Sequence, residues 1–263
     1  MDKDVLELQY RSDINVVQAN ELIRSKKDEL TLLEAKLIRL AVAQILKDDT
    51  DLQTYSCKIT DLANFLGVSR QSIHKEMETF SRNLMKKVIT IKETNPPPER
   101  KKAPHWKMFH WVDVCSYYDG VITIKLSEEL KPYLLGLYEL FTQYSYAEIL
   151  TLPTANSISL FELLASYRNL RFRKEYSRNY KGENLNDNEY IFSIEFLREY
   201  FNCENKYPQT GDFVKRVIDL SVNAINKHIG GLYRVKYEKI TTGRKIEAIK
   251  FTADIVGSKA LEE

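Results

Sequence analysis

The chain has 263 residues, is 43% hydrophobic and 29% charged, and holds only 9 Gly and 7 Pro, a composition that fits a helix-rich globular protein rather than a disordered one. Its net charge of +2 neither announces nor excludes a nucleic-acid partner. No run of about 18 apolar residues and no basic start followed by an apolar stretch occurs, so neither a membrane span nor a signal peptide is expected, and the expected compartment is the cytoplasm.

At this length two domains of ordinary size are expected. The boundary falls near residue 150, where Pro153 discourages one continuous helix, giving domains over 1–150 and 151–263. Cys57, Cys115 and Cys203 are odd in number and far apart, which fits free thiols better than a disulfide framework. The charge is unevenly spread: Lys206 to Lys250 holds 10 basic against 4 acidic residues, whereas residues 1–150 hold 21 against 22. The positive field belongs to the C-terminal part.

Taken in chain order, Leu30 to Ile45 places Leu33, Leu37, Leu40 and Ala41 at helical spacing, widened by Leu30, Ile38, Val42 and Ile45, which predicts a buried helix. Thr60 is placed to cap a short helix through Phe65 and Leu66 that Gly67 ends. A second helix follows from about Ser69, with Ile73, Met77, Phe80 and Leu84 along one side. Lys87 to Lys92 alternates like a strand, and so does Val121 to Leu126 after the turn signal Asp119-Gly120. The polar segment Asn95 to Pro104 between them reads as an exposed loop. Helix, short helix, turn, helix, strand, long loop and strand is the order of a winged helix.

The order then repeats. Ser157 to Tyr167 predicts a helix, Ser193 caps a short one bearing Ile194, Leu197 and Phe201, and Asp212 to Ile229 makes a longer one. Tyr233 to Thr252 is a hairpin candidate in which Tyr233, Val235 and Tyr237 alternate with Arg234, Lys236 and Glu238, and Gly243 marks the turn. The expected fold class is therefore α+β, helix-rich, with two tandem winged-helix domains.

Small Ala63, turn-forming Gly67 and apolar Ile73 sit where two short helices must cross closely and reverse. In the first domain Arg70, Gln71, His74 and Lys75 are the candidates to face DNA, although a winged helix can also serve as a protein-interaction module. In the second, the long helix should bury Phe213, Val217, Ile218, Ser221, Val222 and Ile225 and show Asp212, Lys215, Arg216, Asp219, Asn223 and Lys227. Such a mixture suits groove reading, since Arg bonds guanine bidentately, Asn bonds adenine and Lys sits against phosphate. A charged face can equally be plain solvated surface; the wing residues Lys239, Arg244 and Lys245 and the cluster Arg168, Arg171, Arg173, Lys174 and Arg178 favour the DNA reading.

Enzyme signatures are missing. No Gly-rich loop ends in Gly-Lys-Ser or Gly-Lys-Thr, and His74, His105, His110 and His228 form no His-x-His pair, so neither a nucleotide nor a metal cofactor is expected. Tyr117 and Tyr118 could supply a nicking nucleophile, but the chain has 16 tyrosines and no metal-binding His pair to serve one. The aromatic stretch Trp106 to Tyr118 could stack single-stranded bases, with hydrophobic packing or a subunit interface the preferred reading.

In this order the motifs resemble the iteron-binding plasmid replication initiators, the Rep proteins built from two winged-helix domains. The blocks that carry the resemblance are VVQANELI from Val16, the helix ending LIRLAVAQI, IKLSEELKPYLLGL from Ile124, FTQY at Phe141, SISLFELLASY from Ser157 and FVKRVIDLSVNAIN from Phe213. Ala224 stands before Ile225-Asn226 where the family often has an acidic residue, and Leu220-Ser221 replaces a more usual Pro-Ala, departures that bear on base specificity and leave the fold alone. The resemblance implies that the second domain reads the main half of a direct repeat and that the first contacts neighbouring DNA and mediates dimerisation. It further implies that monomers open the origin and recruit the host initiator and helicase, while dimers repress the protein's own gene on an inverted repeat. Leu30, Leu33, Leu37, Leu40, Ile38, Val42 and Ile45, with Trp106, Phe109 and Trp111, are expected to exceed what one such domain buries and to leave surface for the free homodimer.

Overall fold

In the computed structural model of the chain, residues 5–7, 14–66, 69–92, 105–168, 179–180 and 183–255 are described. The chain divides into two compact units, Met1–Leu150 and Thr151–Glu263. Cys57, Cys115 and Cys203 are free thiols, and no helix among the described residues is long and apolar enough to cross a membrane.

The first unit begins with β1 (Val5–Glu7), β2 (Asn15–Ala19), α1 (Asn20–Arg24) and β3 (Lys26–Lys27). Its central helix is α2 (Leu32–Val42), started by a capping box: the Glu34 N–H donates to Thr31 Oγ1 at 3.2 Å and the Thr31 N–H to Glu34 Oε2 at 2.7 Å. β4 (Thr54–Lys58), α3 (Ile59–Leu66) and α4 (Arg70–Met85) follow. α4 buries Met77, Phe80 and Leu84 along one side, as the helical spacing requires. Next come β5 (Val88–Lys92), β6 (Trp106–His110), β7 (Val112–Tyr118), β8 (Val121–Leu126), α5 (Lys131–Leu134), β9 (Phe141–Ser145) and α6 (Tyr146–Leu150).

Two details differ from expectation, and the strand partners, which the alternation left open, are settled by the register. Thr60 does not cap α3: the helix already begins at Ile59, whose N–H donates to Gly120 O at 2.8 Å, and the Thr60 hydroxyl turns to Asp61. Lys87 to Lys92 and Val121 to Leu126 do not pair with each other. β5 pairs with β6 in a sheet of order β3-β5-β6, while β8 lies between β4 and β7 in a sheet of order β1-β4-β8-β7. The chain changes sheets at Trp111, which is buried, with its N–H on Lys87 O and its carbonyl receiving the Ser127 N–H. Finally, the apolar surplus is mostly spent inside the unit: Leu37, Ile38, Leu40, Val42, Phe109 and Trp111 are all buried, Leu30, Leu33 and Ile45 are half-buried, and the large exposed side chains on β6 are Trp106 and Met108, 59% and 54% exposed. The turn at Asp119-Gly120 forms as expected, both residues at positive φ (46° and 78°) as a two-residue type I′ hairpin loop demands. Gly67 and the Asn95 to Pro104 loop lie outside the described residues.

The second unit opens with α7 (Ala155–Arg168), a helix buried on nearly every side that packs against the later α10. The short strands β10 (Asn179–Tyr180) and β11 (Glu183–Asn184) pair with each other, and β12 (Glu189–Ser193) runs into α8 (Ile194–Tyr200). Ser193 caps α8, accepting from the Phe196 N–H at 3.1 Å. One continuous helical rod then consists of α9 (Thr210–Phe213), a π turn (Val214–Asp219) and α10 (Leu220–His228). β13 (Tyr233–Thr242) and β14 (Lys245–Ile255) close the unit as a long hairpin, in a sheet of order β12-β14-β13. Its loop, Gly243-Arg244, puts Gly243 at φ 59°, the conformation a type II′ hairpin asks of its first loop residue.

Candidate nucleic-acid interface

In the second unit α8, the segment 201–209 and the rod from Thr210 to His228 make a helix-turn-helix, with the β13-β14 hairpin as its wing. The rod buries Phe213, Val214, Val217, Ile218, Ser221, Val222 and Ile225. Lys215, Arg216, Asn223 and Lys227 are exposed on its outer side, together with Leu220 and Asp212, and Asp219 is half-buried. Lys239, Arg244 and Lys245 are exposed on the wing. Lys245 lines one cleft with Lys206, Thr210 and the acidic Glu195 and Glu204, so the tip of the wing and the start of the rod border a cleft of mixed charge. Arg168 ends α7 half-buried, and Arg171, Arg173, Lys174 and Arg178 lie outside the described residues.

Two contacts fix the wing on the rod. Asn226 acts as a strand edge in miniature: its Nδ2 donates to Val235 O at 2.7 Å and its Oδ1 accepts the Val235 N–H at 2.8 Å. This satisfies the side of β13 that β14 leaves open. The Tyr237 hydroxyl lies 3.4 Å from Asp219 Oδ1, and burial, then the Asp219 charge, pushes the phenol above its ordinary pKa. Asp219 is thus engaged with the wing at its half-buried end of the exposed stripe.

Arg198 was not among the residues the sequence singled out. From α8 it donates to three carbonyls of the turn, Nη1 to Cys203 O (3.0 Å) and Lys206 O (2.8 Å) and Nη2 to Tyr207 O (2.7 Å). Its guanidinium also lies 5.0 Å from the centre of the Phe213 ring at the start of the rod. The turn needs this clamp, because Asn202 (φ 53°) and Tyr207 (φ 52°) both hold left-handed conformations without being glycine.

In the first unit Gln71, His74 and Lys75 are exposed on α4, and the side chain of Arg70 lies outside the described residues. The Nδ1 of His74 is hydrogen-bonded to the Tyr117 hydroxyl, which ties α4 to β7. Tyr117 is accordingly part of the packing of this helix. Among the described residues no cluster of His, Cys, Asp and Glu has the makings of a metal site.

Residues 15–165 match the family described as Initiator Replication protein, WH1, and residues 193–253 match that described as Initiator Rep protein, WH2. The chain belongs to the replication initiator family. A curated replication initiation protein of Escherichia coli is 23% identical over 248 residues, which span 93% of this chain and 71% of that protein. The Pi initiator protein, solved in complex with iteron DNA, has the same fold, with a TM-score of 0.66 over 95% of this chain and 100% of its own at 16% identity. Both units of the initiator are therefore winged helices, WH1 and WH2. The WH1 match runs on into α7, whereas α7 packs against α10 of the second unit; packing is the physical criterion for a domain, and it puts α7 with WH2.

Proposed function

We propose that this chain is a plasmid replication initiator that binds direct repeats at its origin as a monomer, helps open the duplex, and recruits the host replication initiator and helicase in the cytoplasm. WH2 is the main sequence reader and WH1 adds contacts to neighbouring DNA. The observation that carries this reading is the outer side of the rod, where Lys215, Arg216, Asn223 and Lys227 stand exposed beside a wing bearing Lys239, Arg244 and Lys245. A rod of this kind enters the major groove with its wing on the backbone, and two tandem copies span neighbouring stretches of duplex. The likeness to an initiator solved with iteron DNA supports the same reading.

In the free state the chain is a WH1 dimer that represses its own gene at an inverted repeat, since protein and site must share a two-fold axis. The exposed Trp106 and Met108 on β6 supply the apolar surface for that contact. A footprint on the DNA flanking the protein's own gene tests the whole scheme. Protection of tandem direct repeats, with one chain per repeat by light scattering, is the expected result. Protection of an inverted repeat alone marks a plain repressor, and nicking of supercoiled origin DNA in Mg²⁺ or Mn²⁺ marks an enzyme.

A further inference from the structure

Within the rod, Leu220 stands where an ordinary helix would not leave it. An α-helix turns about 100° per residue, so the residue seven positions on comes back within about 20° of the same direction. Leu220 is seven residues after Phe213, and Phe213 is fully buried. In an unbroken α-helix Leu220 would be buried beneath it; instead it is 60% exposed. The π turn Val214–Asp219 lies between the two, and its wider turn holds back the rotation and delivers Leu220 to the outer side.

The turn also straightens the apolar line. Phe213, Val217, Ser221, Ile225 and Ile229 are all buried at a strict interval of four residues. In pure α geometry each interval of four gains about 40°, so Ile225 would lie about 120° from Phe213. The π turn cancels this drift, keeps the apolar line straight, and pushes out the extra residue. That residue emerges one helical turn from Arg216 and from Asn223, both exposed, with Lys215 and Lys227 beyond them. Asp219, the acid beside it, is half-buried and receives the Tyr237 hydroxyl. An exposed leucine framed by Arg, Asn and Lys matches one surface in chemistry: the floor of a major groove, where phosphates flank base edges and thymine alone presents a methyl group.

We propose that Leu220 is a specificity-determining residue that packs on the C5 methyl of a thymine in the repeat, and that the π turn is what puts it there. This rests on the reading of the rod as the groove-entering helix. The test uses full-length protein and a duplex carrying the footprinted repeat, in which thymines are replaced one at a time by deoxyuridine, removing only the methyl. At one position the wild type loses about fourfold in affinity, the equivalent of about 0.8 kcal/mol for a buried methyl-sized group, while Leu220→Ala binds both forms alike. Leu220→Ala keeps its thermal midpoint, because the side chain is exposed and alanine favours helix. The proposal is overturned if no thymine methyl matters to the wild type, or if Leu220→Ala suffers the same loss at every sensitive position. Arg216→Ala, titrated on the same duplexes, separates the two levels. If it weakens repeat binding while Leu220 and the methyl do not couple, only the leucine assignment fails; if it leaves repeat binding intact, the groove reading fails and the leucine assignment with it.

Discussion

Replacing Arg198 by alanine removes the clamp on the turn of the second helix-turn-helix. The guanidinium makes three charge-assisted hydrogen bonds of 2.7 to 3.0 Å to the carbonyls of Cys203, Lys206 and Tyr207 and stacks on Phe213. Hydrogen bonds to a charged group contribute about 1.5 to 3 kcal/mol each, but Arg198 is half-exposed and water can replace it at part of the site, so the sum is well below three full bonds. The left-handed Asn202 and Tyr207 add strain that the clamp restrains. About 3 kcal/mol in all is expected, which at about 4 °C per kcal/mol for a domain of this size lowers the WH2 melting point by about 12 °C. Arg198→Lys should recover less than half of that, since one ammonium cannot span three carbonyls and stack on a ring. In DNA titrations well below the melting point, the alanine variant should lose about tenfold in repeat affinity while the slope of log K against log salt stays unchanged, because Arg198 neutralises no phosphate. A melting shift under about 3 °C, or a salt slope smaller by about one unit, would show that the residue is a phosphate contact or a bystander and refute this reasoning.

Arg216→Ala is expected to weaken binding to the repeat more than to a scrambled duplex, by about 1 to 3 kcal/mol, whereas Lys245→Ala on the wing should lower both by the same factor; equal fractional losses for Arg216→Ala in equilibrium titrations would remove it from the base-reading set. Asn226→Ala leaves the N–H and C=O of buried Val235 without partners on that side and should cost about 2 to 3 kcal/mol in urea unfolding. A loss under 0.5 kcal/mol, about the scatter of a neutral surface change, would mean that the bridge is dispensable. Glu189 is held below the ordinary carboxylate range by the hydrogen bond from Lys250 and then by the Asn186 N–H. A carboxyl depressed in the folded state stabilises above its unfolded pKa of about 4.3, and that gain is lost as pH falls through the folded value. Glu189→Gln should therefore be the less stable protein at pH 7, with the two urea midpoints converging as pH drops; parallel curves down to acid-unfolding conditions would show that the pair contributes nothing.

Much of this fold was open to the sequence where information is local. The caps and turns at Ser193, Asp119-Gly120 and Gly243 depend on a few neighbouring residues, and each forms where it was expected. Strand partners were harder. The alternation in Val121 to Leu126 says which side faces the core, but a period of two carries no record of which strand lies alongside. Thus β8 joins β4 and β7 and not β5, and β2 finds β9 across more than a hundred residues. The Thr54 to Lys58 strand is faint in the sequence although Tyr55 and Cys57 alternate with Thr54, Ser56 and Lys58, because five residues inside a polar stretch are a weak signal. The expected apolar surplus of the first unit misjudged volume in the same way: a pattern shows that Trp111 is apolar, not that two sheets meet around it.

Along the rod the buried and exposed sides are those the spacing predicts, except at Asp219, which is half-buried, and at Leu220, which the π turn brings to the outer side. The sequence pattern missed Arg198, whose partners are backbone carbonyls, groups that every residue carries and that no pattern of side chains marks. The π turn had a visible trace. An α-helical face advances by a mixture of three and four residues, as in the Met77, Phe80 and Leu84 side of α4, whereas Phe213, Val217, Ser221, Ile225 and Ile229 advance by four every time. Such a row drifts by about 160° around an unbroken α-helix and runs straight where the helix widens along it. The widening has to occur where the outer side can accept an extra residue, and here that residue is an exposed leucine beside Arg216 and Asn223. The same four-residue interval that straightens the core therefore shapes the outer side of the rod, so a one-residue deletion at Leu220 should restore an unbroken α-helix with its core intact and, on the proposed reading, alter which sequence the protein prefers, a change visible by selecting binding sites from random duplexes. Unchanged site preference in a folded deletion variant would show that the widening serves packing alone.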